Sequence, residues 1–265
     1  MFKMAMFPML AAAALGVHAQ DAPMGISPGP AAAQQAAAPD RNVSLKELPG
    51  NFLSDQKNIW LFPAHLRHRS KLIPALAVAG AAAVMIAAFD PMEGRAFRDS
   101  TEFRGFNHVF SSYNTSLGMV MVPVSFYAAG LIRKDAKAQK TALLAVEAVA
   151  DAEVVATVMK DIDRRLRPAV IPLHGNFSDT WFESGGQLWR GEGSFPSGHM
   201  IAAAAFATVA ARRYGREHRW VPYVAYGVAG LVGFSRMTQS AHFLSDVFVG
   251  GALGYSISRF VVLRQ

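Results

Sequence analysis

An all-α bundle of about six helices is the fold this sequence predicts, and three observations predict it. From about residue 46 the apolar residues come in helix-length stretches separated by polar punctuation. No run alternates β-branched and polar residues in the way a half-buried strand would. The chain has 265 residues, 52% of them hydrophobic and 17% charged, which is enough apolar surface for one substantial core and excludes a disordered protein.

Taken in order, the first nineteen residues read as an export signal. Lys3 is a thin positive region, 4–17 is apolar, and Val17-His18-Ala19 offers a small-residue cleavage context before Gln20. Residues 20–45 are rich in Ala and Pro and carry few large apolar side chains. They cannot bury enough surface to offset ordering entropy and read as a flexible linker. The helical domain is then 46–265, with helices expected at 72–89, 115–132, 138–165, 198–213, 221–236 and 242–262. Pro168 and Pro172 should stop the third helix, and Ser197 is placed to cap the fourth. Gly227, Gly230 and Gly233 on the fifth, with Gly250, Gly251 and Gly254 on the sixth, read as sites of close backbone packing.

A helix that crosses a bilayer needs about twenty largely apolar residues. Only 72–89 is long and uncharged by that standard, since the third helix carries Glu147, Asp151 and Glu153. If the signal is cleaved, three crossings leave the segment after Lys160 in the cytoplasm. The basic clusters before the first helix, between the second and third, and between the fourth and fifth put the same segment outside. The two requirements meet in an exported bundle that does not fully span. The expectation is therefore a periplasmic or cell-envelope protein with its site on the outer side and membrane attachment left open.

The formal net charge of +7 and a pI near 9.9 point to an anionic partner: a nucleic acid, an anionic lipid surface or a phosphorylated substrate. The basic residues lie in separate short clusters without interleaved aromatics, so nucleic acid is not expected. Cysteine is absent, which excludes disulfides, thiolate metal ligands and a cysteine nucleophile.

Three short segments carry the chemistry. Lys160 and Arg167, seven residues apart, would share one face of a helix end about 10 Å apart along its axis, able to converge on one anion. Taken alone, the stretch also fits a solvated, salt-bridged helix end. Pro196-Ser197-Gly198-His199 reads as a turn entering a helix, where unpaired N–H groups and the positive dipole end favour phosphate. Gly198 lets an oxyanion approach the backbone, Ser197 can cap the helix or donate to phosphate, and His199 stands beside the anion as a proton donor. An ordinary capped helix start fits this tetrapeptide equally. In the third segment, His242 and Asp246 are four residues apart and would be neighbours on a helix face. The carboxylate could then accept one ring N–H and leave the other nitrogen as a nucleophile. Arg236 offers a planar donor fork to phosphate oxygens.

Together the segments resemble the type 2 phosphatidic acid phosphatase and vanadium haloperoxidase superfamily. Its pattern is Lys, six residues, Arg-Pro; then Pro-Ser-Gly-His; then Ser-Arg, five residues, His, three residues, Asp. The matching positions are Lys160, Arg167 and Pro168; Pro196, Ser197, Gly198 and His199; Ser235, Arg236, His242 and Asp246. The span they cover is about a third of the chain, and no motif position deviates. The resemblance implies a helical core of that family and a phosphatase acting on phosphate monoesters or on lipid phosphates or diphosphates. In it His242 is the nucleophile, Asp246 orients it and His199 is the general acid. Lys160, Arg167 and Arg236, with Ser197 and the Gly198 amide, hold the phosphate oxygens. It implies no metal and no cofactor, because the three cations neutralise the charge.

Three other readings compete: a vanadate-dependent haloperoxidase, a membrane or binding protein that holds phosphate without turnover, and a metal hydrolase built from His199, His242 and Asp246. The loop between Pro168 and Gly191, with Phe177, Trp181, Phe182 and Trp189, reads as a substrate rim, a segment dipping into a membrane interface, or a loop packed by its own aromatics. The segment with Trp60 and Phe62 would seat the chain on the bundle.

Overall fold

The computed structural model describes residues 41–65, 69–98 and 100–264. The expected signal at 1–19 and most of the expected linker lie outside the described residues. The last residues of that expected linker are packed on the bundle: Arg41 bonds Asp55 at 2.6 Å and reaches Glu147 at 3.0 Å, while Val43 is buried.

Among the described residues there is no strand. The α-helices are α1 (Leu48–Leu61), α2 (Arg69–Val84), α3 (Asp90–Phe97), α4 (Arg104–Val109), α5 (Ser112–Ile132), α6 (Ala136–Asp163), α7 (Gly198–Tyr214), α8 (Val221–Thr238) and α9 (Leu244–Ile257). A π-helical turn, Met85–Phe89, joins α2 to α3, so that Arg69–Phe97 is one helical run. The six expected helices are all present within a few residues, except that the first extends well past 89. Two short helices were not foreseen, α1 and α4. Trp60 and Phe62 do not seat α1, since both are substantially exposed. Buried Asp55 does, held by Arg41 and by Arg264 at 3.1 Å, together with Gln56, which donates to Asp151.

Helix α7 is the middle of the bundle and packs on α6, α8 and α9. Small side chains make this possible: Ala202, Ala204, Ala205 and Ala207 of α7 and Ala145, Ala148, Ala152 and Ala156 of α6 are all but fully buried. A Cβ on Gly250 would lie 2.8 Å from the Ser197 carbonyl, and one on Gly254 would collide with the Ile201 carbonyl and sit 2.9 Å from the Ala205 nitrogen. The close-packing reading thus holds for Gly250 and Gly254. It fails for Gly227 and Gly230, which have open space around them.

Helices α5 to α9 alternate in direction. One end of the bundle therefore collects the start of α5, the end of α6, the start of α7, the end of α8 and the start of α9, and every motif residue lies there. The opposite end carries Arg133, Lys134, Arg212 and Arg213.

Among the described residues two helical runs are long and apolar enough to cross a membrane, Arg69–Phe97 and Ser112–Ile132, and little of either is buried. At 1.5 Å per residue both exceed the hydrocarbon thickness of roughly 30 Å. Ile73, Leu76, Val84, Val120, Val122 and Val124 are each about half exposed or more, and Val224, Val228 and Leu231 continue the apolar surface on α8. The sequence reading counted only 72–89. Ser112–Ile132 also qualifies, as it is free of charged residues over its whole length.

The glycine environments predict opposite outcomes for one substitution. Gly254→Ala should destabilise the fold by about 1–3 kcal/mol through overpacking, whereas Gly227→Ala should be neutral or stabilising by up to about 1 kcal/mol through helix propensity. Thermal unfolding followed by circular dichroism would check the pair, and equal shifts would contradict the packing.

Candidate functional site

Helix α6 does not reach Arg167. It ends at Asp163, and Arg164 closes it in the left-handed conformation (φ 45°, ψ 39°), its N–H bonded to the Lys160 carbonyl. Lys160 and Arg167 therefore do not share a helix face. They meet because the chain turns back after Arg164, and each is charged and near enough to act on the other and on His242. Pro168 begins a short 3-10 turn, Pro168–Val170, and is not what stops α6.

The residue between the two cations organises the site. Arg165 is fully buried, so this stretch is not a solvated helix end. One terminal nitrogen donates to Asp246 at 2.5 Å and to the Ser245 hydroxyl at 2.8 Å, the other donates to Asp90 at 2.7 Å, and Nε donates to the Thr180 hydroxyl at 3.2 Å. Its guanidinium lies between the rings of Phe243, 4.2 Å away, and Trp181, 4.5 Å away. Delocalised charge, planarity and a five-donor fork suit arginine to such a place.

Asp246 stands at the third position of α9 and His242 in the turn before that helix, so the two are not stacked on a helix face. Asp246 accepts from Arg165, from the Ser194 hydroxyl at 2.5 Å and from the Phe243 N–H at 2.9 Å. Its nearest oxygen is 3.7 Å from His242 Nδ1. The direct partner of Nδ1 is the Ser194 carbonyl, at 2.6 Å. A carbonyl only accepts, so Nδ1 carries the proton and Nε2 presents its lone pair. Asp246 orients the ring indirectly, by clamping Ser194 from its hydroxyl side. Burial pushes the His242 pKa down to about 4 against the upward pull of Asp246, so the imidazole is neutral. Burial would raise the Asp246 carboxyl, but Arg165, His242 and Ser194 hold it below the ordinary range.

Ser197 occupies the N-cap of α7 yet makes no capping bond. Its N–H donates to the Asp246 carbonyl, and its hydroxyl is buried without a hydrogen-bond partner. A buried unpaired hydroxyl at a helix N-terminus is costly unless a ligand completes it. Gly198 follows, where a Cβ would lie 3.4 Å from Lys160 Nζ. Gly193 is pressed against the end of α6, its Cβ position 2.9 Å from the Lys160 carbonyl. A shallow, partly open cleft lies beside Lys160, lined among others by Arg164, Ser184, Gly185 and Glu192.

Arg236 is fully buried at the end of α8. Its fork donates to the Ser112 hydroxyl at 2.7 Å and to the Phe110 carbonyl, and its Nε to the Ser235 hydroxyl at 3.1 Å, which accounts for the serine before it. His199 Nε2 lies 3.1 Å from the Ser116 hydroxyl and 3.3 Å from the Ser112 carbonyl. Burial and then the Arg236 charge lower its pKa to about 4, with His242 and Lys160 adding to the effect.

The structure thus gathers all eight expected site residues at one end of the bundle: three cations, two imidazoles, the Asp246 carboxylate and the open start of α7. It adds Arg165, Asp90, Ser194, Ser112 and Ser116. No motif marks the two serines of α5. Arg165 had a signal of a sort, an arginine two residues before Arg167 in a stretch otherwise read as solvated.

Two histidines, a buried carboxylate and three cations thus converge on an open helix start in an all-α scaffold, an arrangement suited to an anion. The PAP2 superfamily model matches residues 139–265, just under half of the chain, and the matched segment includes every motif position. Among curated proteins, lipid A 1-phosphatase of Porphyromonas gingivalis is 41% identical over 61 residues, 23% of this chain and 14% of that protein, so the match spans a small part of the relative's length. Among solved structures, the first transmembrane PAP2 type phosphatidylglycerolphosphate phosphatase from Bacillus subtilis is similar at 22% identity and a TM-score of 0.41. The match covers 82% of this chain and 92% of that one.

Truncating one partner of the buried ion pair should be severe. Asp246→Ala leaves Arg165 partly uncompensated and is expected to cost about 3–5 kcal/mol of stability, measurable by urea unfolding. A loss under about 1 kcal/mol would mean that the Arg165 network is not what holds the site.

Proposed function

We propose that this protein is a metal-independent phosphatase of lipid phosphates that works through a phosphohistidine. The observation that carries the reading is the His242 tautomer: Nδ1 is committed to the Ser194 carbonyl, so the Nε2 lone pair faces a site ringed by Lys160, Arg167 and Arg236. A neutral, oriented imidazole beside three cations is a nucleophile poised toward phosphorus.

In this reading the non-bridging oxygens are held by the three cations, the Ser197 hydroxyl and the first N–H groups of α7, which stabilise the charge of the trigonal bipyramidal transition state. His242 Nε2 bonds to phosphorus as the P–O bond to the alcohol breaks. The departing oxygen takes the proton from His199, whose Nε2 rests on Ser112 and Ser116 in the free site. His199, now neutral, accepts a proton from water, which attacks the phosphohistidine and releases inorganic phosphate and free His242. The cations do the neutralisation that a divalent metal performs in other phosphoryl-transfer sites.

Two supports turn the substrate toward lipids. One is the similarity to a lipid A 1-phosphatase. The other is the pair of apolar runs, Arg69–Phe97 and Ser112–Ile132, which we read as membrane spans. Ser112 and Ser116 touch Arg236 and His199, so the site lies at one end of a span, at the level of lipid headgroups. Lys and Arg residues gather at the other end, and by the positive-inside rule the site opens on the outer face. In this reading the charge bias puts residues 41–65 on the side opposite the site.

The test is phosphate release in chelator from a lipid phosphate, an isoprenyl diphosphate and a soluble aryl phosphate, by wild type and by His242→Ala. Wild-type turnover, best on lipid, and a loss of at least about a thousandfold in the variant are expected. Turnover that survives the substitution, or that needs metal, would sink the mechanism.

The pH dependence follows from the two histidines. His242 must be neutral, and its lowered pKa keeps it so down to about 4, so kcat/KM should not begin to fall until well below pH 6.5. His199 is neutral in the free site for the same reason and must gain its proton with the substrate, in effect from the monoanionic phosphate. Activity should therefore decline as the monoester loses its second proton near pH 6, roughly. A kcat/KM profile with a maximum near pH 5 is the expected result, and an acid limb near 6.5 would contradict the buried environment of His242.

A further inference from the structure

The loop after Pro168 divides its aromatics in two. Phe177 is buried and Trp181 is stacked on Arg165 and Phe195, so these serve the fold. Phe182 and Trp189 do the opposite, being 73% and 74% exposed, with Leu188 at 67% between them. Both aromatics have left-handed backbones, φ 62° and 67°, a conformation that bulky residues rarely adopt and that costs free energy. The loop is nevertheless clipped to the end of α6: the Phe182 N–H donates to the Asp163 carbonyl, Ser184 N–H to the Arg164 carbonyl, and Trp189 N–H to the Asp161 carboxylate at 2.6 Å. Ile162, in the clipped stretch, is 67% exposed as well. Backbone strain and hydrogen bonds are thus combined to display apolar side chains to solvent beside Lys160, which packing alone does not explain.

We propose that this loop is an interfacial wedge: Phe182, Leu188 and Trp189 seat in the headgroup–acyl boundary of the bilayer that surrounds the two apolar runs, next to the mouth of the phosphate site. The inference rests on the membrane reading given above. The bilayer is the chosen occupant because the site stands at the end of span Ser112–Ile132, and the loop flanks that site. Indole and phenyl rings are favoured at that depth. The loop and its clip carry no positive excess, Arg164 and Arg190 standing against Asp161, Glu183 and Glu192, so apolar contact rather than attraction to anionic lipid is what would hold the loop.

The experiment is fluorescence quenching by brominated lipids in reconstituted vesicles. In the variant with Trp60, Trp181 and Trp220 replaced by Phe, the remaining Trp189 should emit to the blue of exposed tryptophan and be quenched about twofold. Quenching should be equal in zwitterionic and anionic vesicles. Phe at 181 keeps a ring over Arg165, which guards the fold. A second variant, also lacking Trp189 and carrying Val124→Trp on the outer face of α5, reports the span itself. Quenching at 124 without quenching at 189 overturns the wedge and leaves the membrane reading standing, while quenching at neither overturns both. Quenching of Trp189 confined to anionic vesicles also overturns the wedge as proposed, since charge would then be its cause. None of these readouts depends on turnover, so they separate the wedge from the proposed chemistry.

Discussion

The guanidinium of Arg165 is the point on which the rest of this structure depends. It ties Asp90 of α3, Thr180 and Trp181 of the loop, and Phe243, Ser245 and Asp246 at the start of α9 into one buried unit. A buried cation without partners would be prohibitively unstable, so these elements can only be occupied together. Asp246 then fixes Ser194, Ser194 fixes His242, and the Ser197 N–H is fixed on the Asp246 carbonyl. The charges that line the proposed phosphate site are thereby held by charges packed behind them.

This arrangement explains how the proposed phosphate cradle can stand open. Lys160, Arg167 and Arg236 are three like charges in one small region, where burial and then the Arg167 charge lower the pKa of both Lys160 and Arg236. Mutual repulsion would pull them apart were their backbones not fastened at the end of α6, the turn behind it and the end of α8. Arg236 is fastened from its side chain as well, by Ser235, Ser112 and the Phe110 carbonyl. Preorganisation of this kind places the reorganisation cost in folding, so that little remains to be met when an anion arrives.

Much of the fold was legible in the sequence, because helix periodicity and length are local properties. Five of the six expected helices fall within a few residues of their places, the first running on to Phe97, and the eight motif residues lie at one end of the bundle. The failures share a cause. Arg167 was placed on the same helix face as Lys160 because a seven-residue gap matches two turns, but Arg164 takes the left-handed conformation and ends α6 first. His242 was placed on a helix by its spacing from Asp246, while α9 starts two residues later. Serines 112, 116 and 194 carry no local signal, since their importance lies in partners 52 to 124 residues away.

By itself the sequence determined the helical class, the family resemblance and which residues gather at one end of the bundle, because each depends on short-range pattern and on a fixed set of spacings. Only the tertiary structure decided which groups those residues lean on. It turned Arg165 from a surface charge into the centre of a buried network, gave the Nδ1 proton of His242 to Ser194 in place of Asp246, and separated the aromatics that pack from the two that stand exposed. The physical reason is that burial and hydrogen-bond partnership are properties of the space between elements. A chain read residue by residue holds the components of that space without holding their distances.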